Sequence, residues 1–190
     1  MPRSGEDARK RLRHAALELF AENGFDQTTA AQIAARAGVT ERTFFRHFPD
    51  KREVLFDGQN LLNTALSDAI AKAPPELPPI QTLHRAFASV TEMFEKNRPF
   101  SEPRQRIISG NPALREREVA KHAAMGRAVA EALQRRGVER PRADLAAQAG
   151  LAVLGYALHS WFADSSLRLD DYLDRGFAEL HNLASPTDPR

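Results

Sequence analysis

Between Asn23 and Glu53, helix-stopping and helix-starting residues alternate so closely that only short helices joined by tight turns fit the stretch. Asn23-Gly24 stops an apolar stripe of Leu12, Ala15, Ala16, Leu19 and Phe20, which recurs at helical spacing from a start near Ser4, with Asp7 in the first turn. Thr29-Ala30-Ala31-Gln32 fits a capping box, in which a hydroxyl and a side-chain amide each accept from the other residue's backbone N–H. The second helix runs through Ile33, Ala34 and Ala37, and Gly38 can take the left-handed conformation that ends it. Thr40 is the next N-cap, for a helix carrying Phe44, Phe45 and Phe48 that Pro49 ends. Asp50 with Glu53 then caps a long fourth helix, expected to reach about Ala73.

Pro74-Pro75-Glu76-Leu77-Pro78-Pro79 lacks backbone donors at its four prolines and reads as a linker turn. Beyond it, apolar spacing and Gly or Pro stops predict helices over about 80–96, 102–108, 112–136, 142–163 and 169–184. Pro112 suits the first turn of its helix. Runs of β-branched residues are missing, so the expected fold class is all-α. Its expected division is a three-helix head over 1–52 and a second helical domain over 53–190, which suits a chain of 190 residues.

Composition removes several function classes. With no cysteine there is no disulfide framework and no thiolate zinc site, and no histidine spacing argues for a metal. No apolar run approaches the ~20 residues of a membrane span, and the N-terminus lacks the apolar stretch of a secretion signal, so a soluble cytoplasmic protein is expected. Neither a Gly-x-Ser-x-Gly elbow nor a phosphate-cradling glycine loop is present, which argues against an enzyme, and no cofactor is expected. Charge is uneven: the first 52 residues hold ten Lys and Arg against seven Asp and Glu, and the remainder seventeen against eighteen. A modest basic excess in the head permits a nucleic-acid partner without demanding one.

Two short helices joined at Gly38-Val39 under a longer first helix have the layout of a helix-turn-helix, whose second member enters the major groove. Phe44 and Phe48, one turn apart, should face the small core, leaving Glu41, Arg42, Phe45 and Arg46 outward. Arg42 suits a bidentate contact to guanine O6 and N7, Glu41 a cytosine amino group, and Phe45 a thymine methyl or deoxyribose. Thr43, Arg46, His47 and Lys51 suit phosphates, as do the backbone N–H groups near Thr29 and Lys51, where helices are expected to start, and Thr40 belongs to the same expected DNA-binding set. Glu41 has an equal reading as a carboxylate that favours the helix N-terminus electrostatically, and Arg3 is either a minor-groove arm or part of a disordered tail.

These residues resemble a known family. The stretch from Leu17 to Phe56, LELFAENGFDQTTAAQIAARAGVTERTFFRHFPDKREVLF, is similar to the N-terminal signature of the tetracycline-repressor (TetR) family of bacterial transcription regulators. The matching features are Leu19-Phe20, Gly24-Phe25, Thr28-Thr29, Ile33-Ala34, Ala37-Gly38-Val39, Phe44 to Phe48 and Lys51. Where the family tolerates Tyr or Phe, this chain has Phe45, which cannot make a hydroxyl bond to phosphate. Asn111 to Arg117 is similar to a stretch of some actinobacterial-type members.

The resemblance implies a homodimer on a two-fold operator in double-stranded DNA, with a second domain that binds a small-molecule effector and dimerises. Repression relieved by ligand is the family's usual behaviour; an activator, or a helical scaffold that has lost specific DNA binding, are the alternatives. The helices at 142–163 and 169–184 are the expected dimer elements, through the small residues Ala146, Ala149, Gly150 and Ala157 and the stripe Leu169, Tyr172, Leu173, Phe177, Leu180 and Leu183. Phe87, Met93, Phe94, Met125, Tyr156, His159, Trp161 and Phe162 are the expected pocket walls, pointing to an apolar or aromatic effector, with His84 and His122 as further polar candidates. Residues 53–73 are the expected lever between effector and head.

Overall fold

The computed structural model describes residues 3–164 and 166–184, the side chains of Arg3 and Ser4 excepted. The expected Ser4 cap and Arg3 arm therefore lie outside the described residues. Among those described, every regular element is a helix: α1 (Arg3–Asn23), α2 (Ala30–Arg36), α3 (Glu41–His47), α4 (Gln59–Lys72), α5 (Pro79–Ala88), α6 (Thr91–Lys96), α7 (Arg98–Gly110), α8 (Pro112–Arg135), α9 (Arg140–Ala163) and α10 (Leu169–Ala184). Contacts divide them into two compact units, residues 1–59 with 97–119 and residues 60–96 with 120–190. That division differs from one at residue 52, because α7 and the start of α8 return to the first unit.

In the first unit, Leu12, Ala16 and Phe20 of α1 close over Ile33, Ala34, Phe44 and Phe48. Thr28 is buried, and its hydroxyl bonds the carbonyls of Leu19 and Gly24, fastening the α1–α2 loop to the helix it leaves. The expected long fourth helix is interrupted. Asp50 does cap the stretch, accepting from the backbone N–H of Arg52 at 2.7 Å and Glu53 at 3.1 Å. Yet residues 51–58 form only successive turns, and α4 starts at Gln59. Val54, Leu55 and Phe56 are all buried, and three successive side chains sweep about 200° around a helix axis, too wide for one face of a surface helix. Gly58, at φ +88°, then breaks the path in a conformation that glycine alone takes without strain.

In the second unit, the expected helix over 80–96 is split into α5 and α6. The hydroxyls of Ser89 and Thr91 bond back to the carbonyls of Ala86 and Ala88, competing with the helical ladder at the break. Among the described residues six helices follow α4 where five were expected, and α7 is longer than the expected 102–108. Pro99 lies in its first turn, where no backbone N–H is needed.

Helix α9 packs on α5 and α10 at very close range. A Cβ on Gly150 would lie 2.8 Å from Leu83 Cδ1 and 3.2 Å from Phe87 Cε2, and one on Gly176 would lie 2.8 Å from Val153 Cγ1. The small residues Ala146, Gly150 and Ala157 are thus buried inside the chain and do not form an outer face for a partner. Leu169, Tyr172, Leu173 and Phe177 of the expected dimer stripe are buried as well. The large apolar side chains left exposed on these helices are Leu145 (70%), Tyr156 (53%) and Leu183 (84%). Just past α8, the Arg136 guanidinium donates to the carbonyls of Ile70, Ala73 and Pro74, closing the C-terminal end of α4.

Candidate nucleic-acid interface

The helix-turn-helix forms as its local signals dictate. Gln32 N donates to Thr29 Oγ1 at 3.2 Å and Thr29 N donates to Gln32 Oε1 at 2.8 Å, completing the capping box of α2. Gly38, at φ +67°, lets Val39 N turn back to Ala34 O at 3.0 Å, which stops α2 and redirects the chain within three residues of α3. Thr40 Oγ1 accepts from Thr43 N at 3.2 Å and caps α3.

One side of α3 is then fixed. Phe44 and Phe48 are fully buried, their ring centroids 5.7 Å apart. The opposite side carries Glu41, Arg42, Phe45 and Arg46, all exposed. Phe45 is 51% exposed and forms a T-shaped pair with Phe44, so its ring is anchored on the buried side while about half of it faces solvent. Among the described residues no ion pair or side-chain hydrogen bond occupies Glu41, Arg42 or Arg46, which leaves a cation, an anion and an aromatic ring presented together.

Around this face the expected phosphate contacts divide. Thr29 and Thr40 are occupied as caps, and the Thr43 hydroxyl shares a 3.0 Å bond with that of Thr40, so each can still offer the remaining capacity of its oxygen. His47 is half-buried, with Nε2 enclosed and unpaired among the described residues. Burial, reinforced by Arg46 and Arg9 and opposed by Asp57, pushes its pKa below the usual histidine value, which favours the neutral imidazole.

Lys51 departs most from expectation. Its ammonium donates to the carbonyls of Phe25 (2.8 Å), Asp26 (3.2 Å) and Thr28 (2.8 Å) and lies 4.4 Å from the centre of the Phe25 ring. Three protons meet three acceptors, so a phosphate contact has to break one of these bonds. Lys51 fastens the α1–α2 loop, and the expected helix start beside it is absent. Lys51→Met is therefore expected to lower stability by about 0.5–1.5 kcal/mol, the net worth of a typical hydrogen bond, because the carbonyls it leaves are part-buried or exposed and water can reach them. Thermal unfolding checks the loss, and the salt dependence of DNA binding should stay close to the parent's, whereas losing a phosphate contact would lower its slope by about one.

Two further groups hold the head and were not readable from local spacing. Arg9 pairs with Asp57 and lies 4.9 Å over the Phe48 ring, and Arg13 is 3.6 Å from the same carboxylate. On the other side Arg36 bridges Glu18 and Glu22, joining α2 to α1.

In the second unit, Phe87, Met125 and Trp161 are buried in one apolar cluster, with Met93, Phe94 and Phe162 packed against it. Tyr156 and His159 are exposed and stand apart from that cluster, because on α9 the inward positions are Val153, Leu154, Ala157 and Trp161. His122 is exposed, and His84 bonds Asp174 at 2.7 Å and stacks on Phe177. No helix among the described residues is long and apolar enough to cross a membrane, and no three His, Asp or Glu side chains among them are grouped to hold a metal ion.

Comparison with known proteins agrees with this geometry. Residues 12–57 match the family described as bacterial regulatory proteins, tetR family, and residues 77–184 match the MftR C-terminal domain. The putative mycofactocin biosynthesis transcriptional regulator MftR of Mycobacterium tuberculosis is 24% identical over 165 residues, 85% of this chain and 83% of that one. The HTH-type transcriptional regulator TcmR of Streptomyces glaucescens is 39% identical over 82 residues, 43% of this chain, and the match spans only 36% of TcmR. Among solved structures, Thermus thermophilus FadR, a TetR-family transcriptional repressor in complex with lauroyl-CoA, superposes with a TM-score of 0.58 at 25% identity, covering 95% of this chain and 97% of that one. A putative TetR-family regulator from Syntrophomonas wolfei reaches 0.68 at 18% identity, over 94% and 95%. With the helix-turn-helix and the helical second half both matched, the chain belongs to the TetR family of DNA-binding transcriptional regulators.

Proposed function

We propose that the protein is a homodimeric repressor that leaves its operator when a small apolar or aromatic effector occupies the second unit. The observation that carries the DNA-reading part is the free outward face of α3. Arg42 takes guanine O6 and N7, Glu41 accepts from a cytosine amino group, and the Phe45 ring meets a thymine methyl or deoxyribose. Arg46 and the Thr29, Thr40 and Thr43 hydroxyls contact phosphates, with His47 contributing as a neutral imidazole and Lys51 acting through the loop it holds.

A single short helix buries little DNA, so affinity comes from two copies on a symmetric site. The dimer forms through α9 and α10, whose exposed large apolar side chains are Leu145, Tyr156 and Leu183. Burying such side chains against a second copy removes exposed apolar surface, worth about 25 cal/mol per Å2. The effector site is built around Phe87, Met93, Phe94, Met125, Trp161 and Phe162, side chains that belong to or pack against one apolar cluster. FadR, the relative seen with lauroyl-CoA, lends support, because an acyl chain suits such walls. An effector that binds better to a conformation with different head spacing drains the DNA-bound population.

Release can be read directly by adding lauroyl-CoA, with free coenzyme A as the control for its phosphates, or triclosan, one acyl and one aromatic probe, to the protein on an operator selected from random-sequence DNA. Dissociation together with a rise in melting temperature is the expected result for at least one of them. If apolar probes do neither while a polyanion or a metal ion does both, the effector assignment is wrong. If a bound probe strengthens operator binding, the protein is an activator or corepressor-dependent regulator.

A further inference from the structure

The DNA-binding unit extends past the residues that form its helix-turn-helix. Residues 97–119, α7 with the first two turns of α8, pack into it, and Ile108 and Leu114 are fully buried in the same core as Phe44 and Phe48. Polar ties accompany the burial. Arg13 donates to Asn97 at 3.2 Å and lies 3.8 Å over the Phe100 ring, and the Asn111 amide reaches the Asp26 carboxylate at 3.4 Å.

The remaining ties converge on Glu53 to Phe56, in the turn that carries the chain out of α3. Arg104 donates Nε to the Leu55 carbonyl, lies 5.1 Å from the centre of the Phe56 ring and pairs with Glu118 at 3.2 Å. Arg117 directs Nη2 and Nε to one oxygen of Glu53, at 2.7 and 3.0 Å. The turn's own backbone bonds are short-range, Leu55 N to Arg52 O and Phe56 N to Glu53 O, and Gly58 ends it. Burial of Val54, Leu55 and Phe56 seats the turn in the core, and two planar guanidinium groups from another part of the chain add directional ties, one through its backbone and one through its side chain.

We propose that Arg104 and Arg117 are positioning residues for operator binding, holding the 53–56 turn and thereby the seat of α3. They act through the turn and not on a base or phosphate. Charge gives the proposal a sign that a bystander role does not share. Glu53→Gln removes an anion from the DNA-binding unit, so long-range electrostatics alone would tighten DNA binding. Loss of the Arg117 contact instead loosens the turn and weakens it.

The test uses the full chain carrying Glu53→Gln, Arg117→Met, both together, or Arg104→Lys, with helicity and melting temperature measured for each. Fluorescence anisotropy then compares a selected operator duplex with a scrambled one. Glu53→Gln is expected to weaken operator binding about tenfold and scrambled-duplex binding less than twofold. The Glu53→Gln/Arg117→Met double variant is expected to be about as weak as the weaker single one, since both changes remove the same charge-assisted pairing. Arg104→Lys, which keeps the charge beside Glu118 but not the guanidinium geometry, should lose operator affinity in the same direction. Operator binding by Glu53→Gln equal to or tighter than the parent's overturns the proposal, as do additive losses in the double variant or equal losses on both duplexes. None of these outcomes depends on the effector or on the sense of regulation.

Discussion

Replacing Phe44 with Ala is expected to cost the DNA-binding unit about 3–5 kcal/mol, the usual range for truncating a fully buried aromatic side chain. Phe44 is 0% exposed and touches Phe45 and Phe48 at centroid distances of 5.3 and 5.7 Å, so its loss opens a cavity behind the whole recognition helix. Domains of this size are stable by roughly 5–15 kcal/mol, and one unit of a two-unit chain holds only part of that. Operator binding should therefore disappear. The apolar core of the second unit, around Leu83, Phe87, Leu133 and Leu173, contains no contribution from Phe44 and should keep its helices. Hydrogen exchange read by mass spectrometry separates the two: amides of α1 to α3 lose protection while those of α9 and α10 retain it. A variant that still binds operator with parental affinity would contradict the packing described for α3.

The second large effect is on recognition and leaves stability alone. Arg42→Ala removes an exposed side chain with no partner among the described residues, so the melting temperature should stay within about a degree. If Arg42 makes a bidentate contact to guanine, its removal costs about 1–3 kcal/mol of discrimination, a loss of roughly 5–150-fold on the selected operator. Binding to a scrambled duplex should fall far less, by the share of one cation. Arg42→Lys keeps the charge but not the fork that matches two acceptors, and should recover only a small part of the loss. Anisotropy titrations on both duplexes decide the matter. An equal fall on both would make Arg42 a phosphate contact and move base reading to Glu41 and Phe45.

Much of this interface was legible in the sequence because it is built from local rules. A capping box needs Thr29 and Gln32 three residues apart, and a left-handed stop needs Gly38. A buried pair one turn apart needs Phe44 and Phe48, which also settles that Arg42, Phe45 and Arg46 point outward. What escaped depends on contacts between distant segments. Lys51 looks like a free cation until the Phe25, Asp26 and Thr28 carbonyls arrive around it. The 51–58 turn looks like the start of a helix, because Asp50 supplies a real cap. Only the enclosure of Val54, Leu55 and Phe56, with Arg104 on the Leu55 carbonyl, shows why the helix does not propagate.

The same limit applied to the helices beyond α4. The small residues of α9 read correctly as a site of close approach, but spacing cannot say which helix approaches. Leu83 and Phe87 of the same chain fill the place that a partner was expected to take. Likewise, periodicity joined Tyr156 and His159 to Trp161 on one helix, although their side chains project toward different surroundings.

The most direct test of the account is a selection of DNA duplexes from random sequence by the purified full-length protein, followed by anisotropy of the enriched and scrambled duplexes across salt concentrations. Enrichment of a two-fold symmetric site, bound at least about a thousandfold more tightly than the scrambled duplex and with an affinity that falls as salt rises, is the result expected of a sequence-reading dimer. No enrichment, with equal and weak binding to every duplex, would contradict it and show that the outward face of α3 does not read DNA.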